Sequence, residues 1–289
     1  MGRAQQRQRR SITTMCADLR ETRMKIYAAI SETYGARDAV ILRLMQRLDG
    51  EILNWSDPLP DDADIFISWR LKLCPNFEEA RDKGVCIVCI DLGYFDDTKF
   101  ECFSVSVGGV HGHANDVKGI YSLPERPHPP VLPWRHDGHR IQIISTGFTR
   151  RQILRGIKEP KYPVDWLETT REAAEEAFGM ESYIRYHPRK LPEGEAIPPP
   201  LEATFEETFC SVTYSSTTAI QTILAGVPTV IMHERSPAYC MGSPELEAVR
   251  PDGREDWIHA LSYRNYEMLN DDDLDKAAEY ILMAYEETK

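Results

Sequence analysis

Two short apolar runs, ADIFISW (Ala63–Trp69) and VCIVCIDLGYF (Val85–Phe95), flank NFEEARDKG (Asn76–Gly84). The runs carry β-prone side chains and read as buried strands. Between them Asn76 is placed to cap a helix, acidic residues fill its early turns, and Gly84 stops it. Strand, helix and strand at this spacing make a βαβ unit, with parallel strands and helices on the sheet faces. The same rhythm restarts at RIQIIST (Arg140–Thr146). A helix follows in VDWLETTREAAEEAFG, ended by Gly179, then a strand in ESYIRYHP. TFCSVTYSS is a further strand, TTAIQTILAG a helix opening about Thr217, and VPTVIM the next strand. Two βαβ-type halves predict an α/β protein of two Rossmann-like domains facing a cleft.

Between the halves, LPERPHPPVLPWRHDGH (Leu123–His139) holds five prolines and cannot be regular helix. It reads as the connector, placing the domains at residues 1–139 and 140–289. Ahead of the first strand, Ile12 to Leu48 shows helical spacing with a break at Tyr34–Gly35. The stretch from Asp96 to Ser122 reads as short strands and loops. REDWIHALSYR and DDDLDKAAEYILMAYEE close the chain as helices, with Asp271 to Asp273 charging the last N-terminus rather than binding a cation.

Composition excludes several classes. No apolar run approaches the ~18–20 residues of a membrane helix, so no membrane partner is expected. The basic start MGRAQQRQRRS lacks the apolar stretch of a secretory signal and reads as a polar tail. Seven irregularly spaced cysteines point to a reducing cytoplasm rather than a disulfide framework. Cys86 and Cys89 form a C-x-x-C, but an offset of three along a strand turns the thiols to opposite faces, which disfavours zinc. A net charge of −12 opposes binding duplex DNA mainly through its phosphates, although Arg150, Arg151, Arg155, Lys158 and Lys161 form a local basic cluster.

Three stretches carry chemistry. In TYSSTT, Ser215, Ser216 and Thr217 stand where a strand ends and a helix begins. Free backbone N–H groups and hydroxyls there suit a phosphate, while plain helix capping is the other reading. In YIRYHPRK, Arg185, His187 and Arg189 alternate along a strand end, and Pro188 stops the ladder, exposing His187 either to neutralise a diphosphate or protonate a departing phosphate, or as an ordinary surface His-Pro. In CIDLGYF, Asp91 lies at the end of an apolar strand before Gly93, either as general base toward a hydroxyl or as the cap of a turn. TGFTRR after the Ile141 strand adds Gly147 for close approach to a phosphate. GGVHGHAN places His111, His113 and Asn115 in a polar loop, lining an acceptor or forming an ordinary turn; no third ligand accompanies the histidines, so no metal is expected. His136 and His139 read as solvent-facing.

The order acidic-x-Gly, His-Pro, then a Ser/Thr cluster opening a helix resembles GT-B glycosyltransferases of the bacterial sialyltransferase and capsule-polymer type. The layout CID-LGYF, VGGVHGHAN, YHP and VTYSSTTAIQTILAGVPTV looks closer still to glycosyltransferase-like proteins of bacteriophages, often associated with modification of hydroxylated bases in DNA. The resemblance covers about Ile65 to Met232. It implies Asp91 as catalytic base, with His187, Ser215 and Ser216 holding the donor phosphate. It also implies a nucleotide-sugar donor, a UDP-sugar favoured, no obligatory metal, and an N-terminal acceptor domain beside a C-terminal donor domain. Where the sialyltransferase motif carries a second acidic residue this chain has Leu92, which argues against a sialic acid donor. The acceptor it suggests is a hydroxymethylated pyrimidine in phage DNA, in the host cytoplasm. A surface polysaccharide or small glycan is the alternative acceptor, and a non-catalytic nucleotide-binding or interaction module is the alternative class.

Overall fold

The computed structural model describes residues 24–30, 36–69, 75–95, 101–108, 126–145, 166–188, 191–234, 236–268 and 270–288. The chain divides into two compact units. His111–Ser262 makes the second, while everything before it, together with Tyr263 onward, makes the first. In chain order the first unit contributes β1 (Ile26–Ile30), α1 (Ala36–Leu48), β2 (Glu51–Asn54), β3 (Ile65–Trp69), α2 (Pro75–Asp82), β4 (Cys86–Leu92) and β5 (Cys102–Val107). The second contributes β6 (Arg140–Ile144), α3 (Trp166–Phe178), β7 (Ser182–Arg185), β8 (Thr208–Thr213), α4 (Thr218–Leu224), β9 (Thr229–Ile231) and α5 (Arg254–Ser262). The chain then returns to the first unit with β10 (Asn265–Glu267) and α6 (Asp271–Glu286). The closing segment was expected with the second domain, and its pairing places it with the first.

The first sheet has the order β10-β5-β4-β3-β1-β2. β1 to β4 are mutually parallel, whereas β5 runs antiparallel to β4 and β10 antiparallel to β5. β1 and β3 are buried at every position, which is why their sequences are continuous apolar runs without alternation. β2 lies at the edge and is mostly exposed, with a charged residue at its start and an amide at its end. Helical spacing from Ile12 to Leu48 holds for α1, but Ile26–Ile30 is a strand. IYAAI is short enough to fit either period, and pairing with both β2 and β3 decides for extended backbone. α1 turns Val40, Ile41, Leu44, Met45 and Leu48 inward at three- and four-residue steps.

The second sheet, β7-β6-β8-β9, is wholly parallel. α3 buries Trp166, Thr170 and Ala174, one per turn, and a core of Ile141, Ile143, Cys210, Val212 and Val230 packs with Trp166 and Ala174. Gln142, whose side chain is wholly buried, donates to Tyr183 Oη at 2.6 Å and Thr204 Oγ1 at 2.9 Å and accepts from Ser211 Oγ at 3.4 Å. Those bonds offset the desolvation of a polar amide inside a sheet core.

The proline-rich stretch was expected to connect the halves; from Arg126 it is instead part of the second unit. Leu132 N–H donates to Leu224 O at 2.8 Å and Arg135 N–H to Gly226 O at 2.7 Å. Arg254 lies 3.8 Å from the Trp134 ring centroid and donates to Leu132 O at 2.7 Å. Gly226 has φ +78°, and a Cβ there would stand 2.0 Å from Pro133 O. Both conformation and contact demand glycine.

Candidate functional site

The four strands of the second sheet end on one edge. The chain leaves β6 for β7 on one side, then crosses to β8 and β9 on the other. The order therefore reverses between β6 and β8, and in open α/β sheets ligands bind outside the carboxyl ends at such a point. Ser145 follows β6 there, Tyr214 to Thr217 follow β8, His187 follows β7 and His233 follows β9.

Local hydrogen bonds set the edge. His187 N–H donates to Ser145 Oγ at 3.1 Å, holding the His-Pro segment against the end of β6. The His187 residue itself is exposed. Ser216 N–H donates to Thr213 Oγ1 at 3.2 Å. Ser216 Oγ accepts from Thr218 N–H at 3.2 Å and donates to Thr218 Oγ1 at 3.0 Å, turning the chain into α4. Thr217 is the N-cap residue, exposed, and its side chain makes no cap hydrogen bond. Ser215 is wholly buried. The hydroxyl row thus splits: Ser215 points into the fold, Ser216 both caps and borders solvent, and Thr217 faces outward. α4 has only seven residues, so its dipole alone would hold a phosphate weakly.

Arg185 and His187 share a strand end, but their environments differ. Arg185 is half-buried, and one Nη donates to Pro199 O at 2.7 Å. Burial lowers its guanidinium pKa. β6 lies between β7 and β8, so roughly two strand spacings, about 10 Å, separate Arg185 from the turn after β8. Gly147, Arg189, His111, His113 and Asn115 lie outside the described residues, as do Arg150, Arg151, Arg155, Lys158 and Lys161. His136 and His139 are exposed, as expected.

In the first unit Asp91 sits near the carboxyl end of β4, half-buried and opposite Ser104 of β5. Its carboxylate accepts from Leu92 N–H at 2.8 Å, while Ser104 Oγ donates to Leu92 O at 2.9 Å. Gly93 is required by close approach: a Cβ there would meet Cys102 Cβ at 2.6 Å and Asn265 Oδ1 at 2.7 Å. Asn265, from β10, also accepts from Tyr94 N–H at 2.6 Å. The turn after Asp91 is therefore locked by the returning C-terminal strand. Among the described residues, no three His, Cys, Asp or Glu side chains gather as a metal site, and no helix is long and apolar enough to cross a membrane.

Ser145, Tyr214 and His233 carry no motif of their own in the sequence; each follows directly on an apolar strand run, and that position is the one available signal.

No family model and no curated protein matches the sequence. Among solved structures, KpsC from Thermosulfurimonas dismutans, a β-Kdo 2,4 transferase, aligns with TM-score 0.51 at 12% identity, covering 90% of this chain and 98% of that one. A KpsC β-Kdo 2,7 transferase from the same organism gives TM-score 0.49 at 11% identity over 91% and 99%. The fold is GT-B-like. Two Rossmann-like α/β units, each with a largely or wholly parallel sheet, make it up.

Proposed function

We propose that the chain is a nucleotide-sugar-dependent glycosyltransferase of the capsule-transferase kind. The observation that carries this reading is the hydroxyl-lined carboxyl edge at the strand-order reversal of the second sheet, in a fold shared with a Kdo transferase. The donor phosphates sit against Ser216, Thr217 and the backbone turn built on Ser215, with His187 stabilising negative charge on the departing group. Gly147, Arg185 and Arg189 supply close approach and positive charge in this reading. Asp91 of the first unit is the general base. The acceptor hydroxyl oxygen bonds to the anomeric carbon, the bond from that carbon to the phosphate oxygen breaks, and the nucleotide leaves with the electron pair. Asp91 takes the hydroxyl proton. The step needs no metal, and a UDP-sugar is the favoured donor.

For the acceptor, resemblance to phage proteins supports a hydroxymethylated pyrimidine in DNA, with His111, His113 and Asn115 on the acceptor side and the reaction in the host cytoplasm. The net charge of −12 favours a second acceptor, a polysaccharide or small glycan. A non-catalytic nucleotide-binding module would keep the edge and lose the chemistry. The deciding experiment is a thermal-shift screen with UDP-, GDP- and CMP-sugars. A donor at ~100 times its dissociation constant adds ~2.7 kcal/mol of stability, and a flat response to all three classes overturns the reading.

A further inference from the structure

We infer that Tyr214 and His233 form the wall on which the base of the donor nucleotide stacks. The inference rests on reading the carboxyl edge of the second sheet as the donor site. Tyr214 follows directly on β8, and His233 follows β9, the neighbour of β8 in the sheet. Their ring centroids are 5.2 Å apart with planes 35° from parallel, a tilted pair in contact. Trp166, the first residue of α3, braces Tyr214 from behind with ring centroids 6.0 Å apart at 88°. Trp166 is 5% exposed, so the brace belongs to the core. Burial raises the Tyr214 phenol pKa above its ordinary value.

His233 is half-exposed at the end of this three-ring series. An aromatic series rooted in the core and ending at the ligand-binding edge suits a planar, sequence-tolerant partner, because every nucleobase offers a π-face. Tyr214 lies two residues before Ser216, a span of at most about 7 Å. A nucleotide bridges its phosphate and base through one ribose, which matches that step. The wall and the hydroxyls then take different parts of one ligand, and this division separates the inference from simple packing.

Calorimetric titration of UDP, CMP and inorganic pyrophosphate into the full chain tests it, with His233→Ala, His233→Phe and Ser216→Ala/Thr217→Ala as variants and thermal melting as the folding control. His233→Ala is expected to weaken whichever nucleotide binds by about tenfold and leave pyrophosphate unchanged. His233→Phe is expected to restore nucleotide affinity. The Ser216/Thr217 variant is expected to weaken nucleotide and pyrophosphate alike. Unchanged nucleotide binding in His233→Ala, beside weakened binding in the Ser216/Thr217 variant, overturns the stacking wall and leaves the donor site standing. Equal loss of nucleotide and pyrophosphate in His233→Ala also overturns it. If neither nucleotide binds the unaltered chain, the donor site and the wall fall together.

Discussion

Asp91 and Arg264 show how differently two charged side chains can be held in one sheet. Asp91 is half-buried at a strand end, beside a turn that Gly93 and Asn265 fix in place. Asp91→Asn keeps the shape and removes the base, so transfer in a product assay is expected to fall by ~10²–10⁴-fold while donor affinity stays within about twofold. Transfer at the original rate would refute the base assignment. Arg264 is wholly buried, donating to Val105 O at 3.0 Å and Ser106 Oγ at 2.7 Å, with the Tyr94 ring centroid 5.6 Å away. Among the described residues no salt bridge reaches it, and one Nη has no hydrogen-bond partner. What it contributes among the described residues is packing and hydrogen bonds to a carbonyl and a hydroxyl. Arg264→Ala leaves a cavity and an unpaired carbonyl, an expected loss of ~2–5 kcal/mol in urea denaturation. Arg264→Met fills the space and should lose clearly less. Nothing in SYRNYE marked Arg264, because burial of an arginine depends on a strand pairing made with residues far away in sequence. Asp91, by contrast, was legible: an acidic residue closing an apolar run before glycine has few places to go.

Among the elements, the proline-rich strap and the helix pair of the first unit are the informative cases. Gly226→Ala forces a side chain at φ +78° onto Pro133 O. It is expected to lower the melting temperature sharply and to expose Trp134, which fluorescence would report; an unchanged melt would show that the strap does not bear on stability. α1 and α6 are joined by Arg43 and Arg47 to Asp271 at 2.6 and 2.5 Å and by Arg47 to Asp275 at 2.5 Å. Hydrogen bonds from Arg47, then Arg43, hold the Asp271 carboxyl below its ordinary pKa. A depressed carboxylate stabilises the fold above its unfolded value of about 4 and loses that contribution as pH falls through the lower folded value. Melting temperature should therefore drop as pH falls below about 4, and Asp271→Asn should flatten part of that drop. Strong periodicity made α1, α3 and α6 readable, and apolar runs made β3, β4, β6 and β8 readable. IYAAI, which becomes β1, fits a helical period as well as an extended one, and nothing in the sequence decides between them. β10, three residues long, has too little pattern to announce itself, and only its partner β5 defines it.

For the whole molecule the net charge is the sharpest discriminator of acceptor. A chain at −12 that used DNA would need a concentrated basic face. Titrating DNA binding against salt reads the number of phosphates engaged, and a slope near zero is the expected result for a glycan acceptor. A steep negative slope would favour the DNA base. The doubling of the βαβ rhythm made the two-unit fold legible, whereas the true division was not. It depends on the chain leaving the second unit at Tyr263 and running back to β5.

That return has a consequence for synthesis. The second unit is one continuous stretch and can close as soon as it has left the ribosome, whereas the first must wait. Until β10 arrives, β5 carries an unsatisfied row of backbone donors and acceptors, and the turn after Asp91 lacks Asn265 to hold it. The first unit is thus completed only after the second has been made, and its proposed catalytic carboxylate is fixed in place only once β10 has followed.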